Sequence, residues 1–340
     1  MQGKGAAAGR DVQGKGAAAG PVGETAVATR VVTFLSDFGL ADEFVGIVHS
    51  VLAHLAPDVR VVDLTHGIPA HDVVAGADLL ERTLPWLCPG VVVAVVDPGV
   101  GGSRRPVALQ LAGRSDLALV GPDNGLLWPA AVASGGITQA VLLDRGAVRA
   151  TVGDAVEASG PPESRAGAGG GSGSRQGPGA GPGAPPALGA TFDGRDLFAP
   201  AGAALARGLP LESLGPQLDP DSLVHLPRPA SSWQDGTLVA DVASVDRFGN
   251  VQLAAGREEL EMIGSSGRVR SPGGSFDALV ARSFDALPTE ELGIVLDSWG
   301  RMALVRNCAS AAALLGLRRG DVVRLEPGDP AQIDTGSAGE

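Results

Sequence analysis

Segments rich in β-branched residues alternate with helical segments from residue 30 to residue 99. Strands are predicted at 30–39, 59–67 and 90–99, and helices at 42–57 and 71–89. This alternation is typical of a mostly parallel sheet with helices on its faces. Further strands at 106–113, 117–127 and 140–144 and a closing helix at 195–208 are predicted to complete the same unit. The first part of the chain, 29–215, is therefore predicted to be an α/β domain.

The pattern changes near residue 235. From there to residue 328, short strands are separated by turns that contain glycine, asparagine or aspartate. Such spacing is typical of a compact antiparallel barrel or sandwich. We therefore predict a second, smaller domain at 235–328, with the boundary inside 216–236.

Three segments contain too few apolar residues to pack. The unit QGKGAAAG occurs twice within 1–28, residues 155–190 are rich in Gly, Ala, Pro and Ser, and residues 329–340 are mostly small or polar. Burial cannot offset the entropy lost when such sequences become ordered. We predict two disordered tails and a disordered insertion in the α/β domain.

A formal net charge of −12 restricts the partners that this chain can bind. Nucleic-acid binding would need a basic face, and an anionic membrane surface repels an acidic protein. The two cysteines, Cys88 and Cys308, give neither a disulfide framework nor a metal-binding spacing. The chain shows no signal peptide and no apolar run of about 20 residues. We expect a cytoplasmic protein without nucleic-acid or membrane partners.

The stretch at 93–107 joins a valine-rich run to a carboxylate, a glycine-rich turn and two arginines. A phosphate-binding loop would place Gly-Lys-Ser/Thr before a helix, whereas Gly102-Ser103 precedes Arg104-Arg105 and a predicted strand. The turn after the first strand also lacks the glycine spacing of a dinucleotide site. Neither nucleotide-binding motif is therefore predicted.

Three aspartates lie near the carboxyl ends of the predicted parallel strands: Asp37, Asp63 and Asp97. Ligands of open α/β sheets bind at this edge, and carboxylates suit a diol such as ribose, or a cation. Each aspartate could equally be a helix cap or a turn former, and Asp63 fits that interpretation best.

The five histidines are scattered along the sequence. We assign His49 and His54, in the first predicted helix, to surface or packing positions. Because no His pair has the spacing of metal ligands, no metal site is predicted. Residues 121–127 contain Asn-Gly, which is consistent with a simple hairpin or bulge.

Six motifs occur in order along the chain. They are FLSDFGLADEFVG, VVDPGVGGSRRPVAL, VGPDNGLLWPA, TFDGRDLFAPAGAALARG, VASVDRFGNVQL and SWGRMALVRNCAS. Together they resemble the S-adenosyl-L-methionine (SAM) hydroxide adenosyltransferase family, which also contains the fluorinase and the chlorinase. The resemblance implies an α/β N-terminal domain and a β-barrel C-terminal domain. It also implies a homotrimer that holds SAM between domains of neighbouring subunits.

The resemblance also implies which residues bind SAM. In the N-terminal domain, Asp37 matches the ligand of the ribose hydroxyls, Asp42 lies near the methionine amino group, and Phe192 lines the pocket. In the barrel, the matching positions contact methionine or the adenine edge: Asp246, Phe248, Asn250, Ser298, Arg306 and Cys308. Trp299 stands where the fluorinase has Arg.

The nucleophile separates the members of this family. A halide needs no base, whereas water must lose a proton as it attacks the 5′ carbon of SAM. Asp97 stands where the fluorinase has Tyr, and a carboxylate there repels halide and can orient water. Asp97 and Arg104 match two members of the Asp-Arg-His triad of the hydroxide-using enzymes, but Asp193 replaces the His. Two neighbouring carboxylates could hold one proton between them, with Arg104 offsetting part of their repulsion.

Two kinds of function follow from this resemblance. The first is hydrolysis of SAM to adenosine and methionine, with SAM as substrate and no cofactor. The second is a catalytically weak protein that binds SAM or adenosine, left by the change to Asp193. A halogenating enzyme is disfavoured by Asp97 and by Val100, which stands where the fluorinase has Thr.

Overall fold

A computed structural model describes residues 31–152 and 191–328. The predicted tails and the predicted insertion at 155–190 lie outside these residues. Within the two described ranges, none of the helices has the length and apolar character needed to cross a membrane.

The N-terminal unit is built on one seven-stranded sheet. Its strands are β1 (Val31–Ser36), β2 (Arg60–Thr65), β3 (Gly90–Val95), β4 (Pro106–Leu111), β5 (Leu117–Pro122), β6 (Ile137–Leu142) and β7 (Gln217–Leu218). Their order is β2-β1-β3-β5-β4-β6-β7. The neighbours β2, β1, β3 and β5 are parallel, whereas β4, β6 and β7 join antiparallel. The predicted mostly parallel sheet is thus confirmed for its core, with antiparallel strands at one side.

Helices cover both faces of this sheet. They are α1 (Phe44–Leu55), α2 (Val73–Thr83), α3 (Trp128–Ala133), α4 (Arg145–Val152) and α5 (Ala199–Ala206). α1, α4 and α5 pack on one face and α2 and α3 on the other, and each face has its own apolar core. The runs of valine and leucine in β3 and β5 are buried on both faces, as expected for central strands of such a sheet.

Residues 231–327 form the second unit. Its strands are β8 (Ser231–Gln234), β9 (Thr237–Val245), β10 (Val251–Leu253), β11 (Ser266–Ser271), β12 (Gly274–Val280), β13 (Leu292–Leu296), β14 (Met302–Arg306) and β15 (Val322–Pro327), with the short helices α6 (Arg257–Ile263) and α7 (Ala311–Leu315). Pairing of β9 with both β10 and β15 closes seven strands into a barrel, and β8 adds at the side of β9. Of the two predicted architectures, barrel and sandwich, the structure confirms the barrel. One pair, β12 with β13, is parallel, which the sequence analysis did not predict.

The two units contact each other through α2. Arg301, just before β14, donates to Asp78 at 2.5 Å, and Arg82 lies 3.4 Å from the hydroxyl of Ser244 on β9. Burial alone would lower the pKa of Arg301, but the neighbouring carboxylates, above all Asp78, raise it over its usual value. The connection between β7 and β8 falls inside the predicted boundary region at 216–236. β7 belongs to the N-terminal sheet but lies past residue 215, where the N-terminal domain was predicted to end.

Candidate active site

Asp97 and Arg104 face each other across the turn that follows β3. The turn is closed by backbone hydrogen bonds from Val100 to Asp97 and from Gly102 to Gly99. It brings the guanidinium of Arg104 onto the carboxylate of Asp97, with Nε 3.0 and 2.9 Å from the two oxygens and Nη2 2.5 Å from Oδ2. The side chains are only 5% and 11% exposed. The predicted pair is therefore a buried, multiply hydrogen-bonded ion pair.

Asp193 reaches the same guanidinium from a distant part of the chain. It precedes a turn of π-helix at Gly194–Phe198, which leads directly into α5. Its carboxylate, 2% exposed, accepts from Arg104 through Oδ2 and from Arg145 through Oδ1. The three residues of the predicted triad thus lie in one cluster, together with a second arginine.

Arg145 was missed by the sequence analysis because it belongs to none of the six motifs. Its position follows from the sheet. β6 pairs with β4, and the backbone N–H of Leu143 donates to the carbonyl of Pro106, next to the two arginines that end the turn. The chain leaving β6 therefore enters α4 beside Arg104. Only the strand order could have revealed this neighbour.

The cluster contains two carboxylates and two guanidiniums. The sequence analysis expected one cation to offset the repulsion between Asp97 and Asp193, but the structure supplies two. Burial opposes the charge on Arg104, yet hydrogen bonds and charge from both aspartates outweigh it and raise the pKa of Arg104 above its usual value. Arg104 is therefore a fixed cation at every pH at which the fold persists.

Three phenylalanines form an aromatic wall beside this cluster. The ring of Phe192 lies 5.7 Å from that of Phe38 and 5.1 Å from that of Phe44, both in edge-to-face geometry. A Cβ on Gly194 would come within 3.1 Å of both Phe38 and Phe192, so a side chain there would press on this wall. Phe192, predicted to line the pocket, directly precedes Asp193 and ties the wall to the charged cluster.

The two remaining N-terminal candidates lie in the loop between β1 and α1. Asp37 follows the last residue of β1, and its carboxylate accepts a hydrogen bond from the backbone of His71 at 2.8 Å. Asp42 is exposed and precedes α1. Both carboxylates lie at the sheet edge where the parallel strands end, which is where a ligand of this fold class binds.

Asp246 organises the turn between β9 and β10. Its Oδ1 accepts the backbone N–H groups of Phe248 and Asn250, each at 2.9 Å, and its Oδ2 accepts from the Asn250 amide at 2.8 Å. Gly249 has φ +83°, and a Cβ there would lie 2.0 Å from the hydroxyl of Ser310. The turn leaves Phe248 at the surface, where the residue is 68% exposed to solvent.

A second turn of the same design connects β13 to β14. Oδ1 of Asp297 accepts from the backbone N–H groups of Trp299 and Arg301 at 2.8 and 2.9 Å. Gly300 has φ +79°, and the ring of Trp299 is 44% exposed. The sequence analysis selected Ser298 and Trp299 but missed Asp297, whose spacing to the following aromatic and glycine repeats that of Asp246.

These barrel candidates fall at two ends of β14. Val251 of β10 pairs with Leu304, so the turn with Asp246, Phe248 and Asn250 lies at the end marked by Arg306 and Cys308. Arg306 donates to the carbonyl of Glu290 at 2.8 Å, and Cys308 is exposed, with φ +61°. Ser298 and Trp299 lie at the opposite end, where the guanidinium of Arg82 is 5.8 Å from the Trp299 ring.

The N-terminal and barrel candidates form separate groups. Among residues 31–152 and 191–328, no hydrogen bond, ion pair or ring contact joins the cluster of Asp97, Arg104 and Asp193 to the barrel candidates. Within one chain, the structure therefore brings together the predicted catalytic residues and the aromatic wall. It does not bring the barrel candidates to them.

The fold and this site define a two-domain protein that joins an α/β sheet, with buried acidic and basic groups at its carboxyl edge, to a closed β-barrel. Residues 32–158 match the SAM hydroxide adenosyltransferase N-terminal domain, and residues 240–324 match the C-terminal domain of the same family. The chain belongs to the SAM hydroxide adenosyltransferase family. The resemblance drawn from the six motifs is confirmed.

Several relatives are similar over nearly their whole length. The (R)-S-adenosyl-L-methionine hydrolase of Salinispora arenicola is 42% identical over 88% of this chain and 99% of its own. That of Thermus thermophilus is 40% identical over 87% and 99%. The fluorinase of Nocardia brasiliensis is 28% identical over 88% and 97%. A crystal structure of an uncharacterized conserved protein from Thermotoga maritima superposes with a TM-score of 0.69 at 27% identity, covering 87% of this chain and 99% of that one.

Proposed function

We propose that this protein hydrolyses SAM to adenosine and L-methionine. The observation that carries the proposal is the buried carboxylate of Asp97, held by Arg104 at the sheet edge beside an aromatic wall. The relatives named as hydrolases are 40–42% identical, and the fluorinase is more distant, which favours water over halide as nucleophile.

The proposed step is an in-line displacement at the 5′ carbon. Water attacks, the C5′–O bond forms and the C5′–S bond breaks, and the bonding pair leaves with sulfur as the neutral thioether of methionine. Asp97 takes the proton that the water loses, a role that typically contributes about 10²–10⁴-fold to the rate. The leaving group departs neutral, so the step as proposed uses SAM as substrate and no cofactor.

Charge at the site supports water as the nucleophile. A carboxylate beside the attacking position repels a halide anion, whereas it accepts a hydrogen bond from water. In this proposal Asp193 fixes Arg104, and Arg145 fixes Asp193, so that the charged cluster holds one geometry. Asp193 is held by two arginines, one on each oxygen, whereas within the described ranges Asp97 is held by Arg104 alone, so we assign Asp97 as the base.

The proposal includes a homotrimer in which the site is completed by a neighbouring barrel. The support is the separation of the two groups of candidates within one chain, and the apolar side chains exposed on both: Leu40, Phe44 and Phe248. Asp97→Asn and Phe248→Ala, each expected to lose most of the activity, are mixed, partially unfolded and refolded together. Recovered activity in the mixture supports a shared site; a monomer by light scattering that turns over SAM contradicts it.

A cytoplasmic location without nucleic-acid or membrane partners is part of the same proposal. It rests on the net charge of −12 and on Cys88 and Cys308, which are both free and exposed. Binding to anionic vesicles or to DNA at moderate salt would contradict it.

The activity is tested by incubating the protein with SAM, alone and with chloride or fluoride, and identifying the products by mass spectrometry. Adenosine and methionine in all three reactions support hydrolysis. A 5′-halo-adenosine would make the protein a halogenating enzyme. SAM that binds but remains unchanged would support the second candidate, a weak SAM-binding protein, which the exchange of the family's His for Asp193 favours.

A further inference from the structure

A second cluster of chemically active side chains lies behind the loop that follows β1. His49 of α1, Asp63 of β2 and His66 just after β2 each bring one ligand atom to within 4.8 Å of the others. His49 Nε2 is 2.7 Å and His66 Nε2 is 3.1 Å from the same oxygen of Asp63. The sequence hid this cluster because its residues come from three elements, and because Asp63 was assigned to a cap or turn. Asp63 is in fact a residue of β2, and its carboxylate faces the imidazoles of His49 and His66.

The ring of His66 is oriented as a metal ligand is. Its side chain is 3% exposed and packs on Phe34 with ring centroids 4.6 Å apart. Nδ1 lies 2.7 Å from the hydroxyl of Ser36, while the buried Nε2 has no aligned hydrogen-bond partner. Metal-binding histidines commonly bond through one ring nitrogen to a protein group and present the other to the ion. Nε2 of His66 therefore faces the cluster, and it offers its electron pair to an ion in the tautomer whose proton is on Nδ1.

We propose that His49, Asp63 and His66 form a binding site for a divalent transition-metal ion, with Zn²⁺ as the best match. Two imidazole nitrogens and one carboxylate oxygen are a frequent donor set for zinc, and a fourth, tetrahedral position remains for water.

The geometry needs a small adjustment to accept the ion. Zinc–ligand bonds of about 2.0–2.1 Å place tetrahedral ligand atoms about 3.3 Å apart. His66 Nε2 and the Asp63 oxygen are already near that separation at 3.1 Å, and His49 Nε2 must withdraw from the same oxygen, which is 2.7 Å away. The ligand atoms of the two histidines, which lie within 4.8 Å of each other, must come to about the same separation. The His49 and Asp63 side chains are 37% and 39% exposed, which leaves them free to move and gives the ion a path from solvent.

The site is coupled by hydrogen bonds to the loop between β1 and α1, which carries Asp37. The hydroxyl of Ser36 accepts from the backbone of Phe38 at 3.3 Å, and the carbonyl of His66 accepts from the backbone of Gly39 at 2.8 Å. These contacts flank Asp37. A bound ion would fix His66 and thereby the loop, so we assign the metal a structural role outside the reaction.

The test uses the full-length protein, treated with EDTA and then freed of it. Zn²⁺ is titrated by calorimetry, and Co²⁺ is added to a separate sample to detect the visible absorption bands of a tetrahedral site. We expect one ion per chain, a higher melting temperature with Zn²⁺, and cobalt bands typical of nitrogen and oxygen ligands.

Variants identify the ligands. His49→Gln and Asp63→Asn are expected to weaken Zn²⁺ binding at least tenfold, as is Ser36→Ala through the orientation of His66. His54→Gln, an exposed histidine one turn further along α1, is the matched control and should bind as the wild type does. The buried His66 is left unchanged because its replacement would disturb packing on Phe34. Absence of binding in the wild type, or equal loss in His54→Gln, would overturn the proposal, whatever the outcome with SAM.

Discussion

Arg145 donates a hydrogen bond to the carboxylate of Asp193, which lies 48 residues further along the chain. The resemblance drawn above implies a histidine at the position of Asp193. The same carboxylate binds Arg104, so Asp193 bridges two arginines. An aspartate alone beside Asp97 would add a like charge to the site. With Arg145 present, the added negative charge has its own cation, which explains how the substitution is accommodated.

Removing Arg145 should therefore disturb the positions of Asp193 and Arg104, although Arg145 itself forms no ion pair with Asp97. In Arg145→Ala, Asp193 is left buried with one cation, and the position of Arg104 is less well fixed. We expect the turnover of SAM to fall about 10- to 100-fold, measured as adenosine formed per minute. Arg149→Ala, an exposed arginine in the same helix, should leave turnover unchanged. Equal activity in both variants would show that Arg145 has no positioning role.

The resemblance implies a histidine at position 193, and we expect a histidine there to function only together with a change at Arg145. Asp193→His alone leaves two guanidiniums facing one imidazole, so we expect it to be less active than the wild type near neutral pH. The double variant Asp193→His, Arg145→Ala removes the surplus charge and should be more active than the single variant. The four proteins form a double-mutant cycle, and purely additive effects on turnover would contradict a direct coupling of the two residues.

Local patterns were sufficient to predict the fold class. The alternation in residues 30–99 gave the parallel core, and the turns after residue 235 gave a β-rich second domain. They could not give the antiparallel attachment of β4, β6 and β7, or the parallel pair of β12 and β13. The pairing of β6 with β4 and of β7 with β6 joins strands that are distant in sequence, and short segments do not encode such pairing.

The site was predictable to the extent that its residues belong to recognisable motifs. Asp97, Arg104 and Asp193 stand in motifs that resemble those of the family, and the resemblance selected all three. Arg145 and the cluster of His49, Asp63 and His66 were not, because each depends on which strands and helices are neighbours. Contacts between distant elements arise only once the sheet order is known.

The turn formed by Asp246 should be far less tolerant of side chains than its counterpart at Asp297. Gly249→Ala places a Cβ at φ +83° and 2.0 Å from the Ser310 hydroxyl, whereas a Cβ on Gly300, at φ +79°, meets nothing within 4 Å. We expect Gly300→Ala to cost about 1–2 kcal/mol from backbone conformation alone. Gly249→Ala should cost about 1–3 kcal/mol more, from overpacking. Urea unfolding of both variants checks this, and equal losses would contradict it.

Acid stability should report the carboxylate of Asp63. Its pKa is lowered in the folded protein, so the ionised form stabilises the fold above the unfolded value of about 3.9. That contribution is lost as the pH falls through the lower, folded value. In metal-free protein, the melting temperature of the wild type should exceed that of Asp63→Asn at pH 5 and approach it at pH 3. A difference that stays constant over this range would show that the pKa of Asp63 is not shifted.

The central claim is that water, activated by Asp97, attacks the 5′ carbon of SAM. Its most direct test is turnover in H₂¹⁸O, with the products analysed by mass spectrometry for the wild type and for Asp97→Asn. Asp116→Asn, which changes an exposed aspartate that pairs with Arg114 and not with the cluster, serves as the control. We predict that ¹⁸O appears in the 5′ hydroxyl of adenosine and that Asp97→Asn forms it about 10²–10⁴-fold more slowly at similar SAM affinity. An unlabelled adenosine, a label found in the amino-acid product, or an Asp97→Asn variant as fast as the wild type would contradict the mechanism.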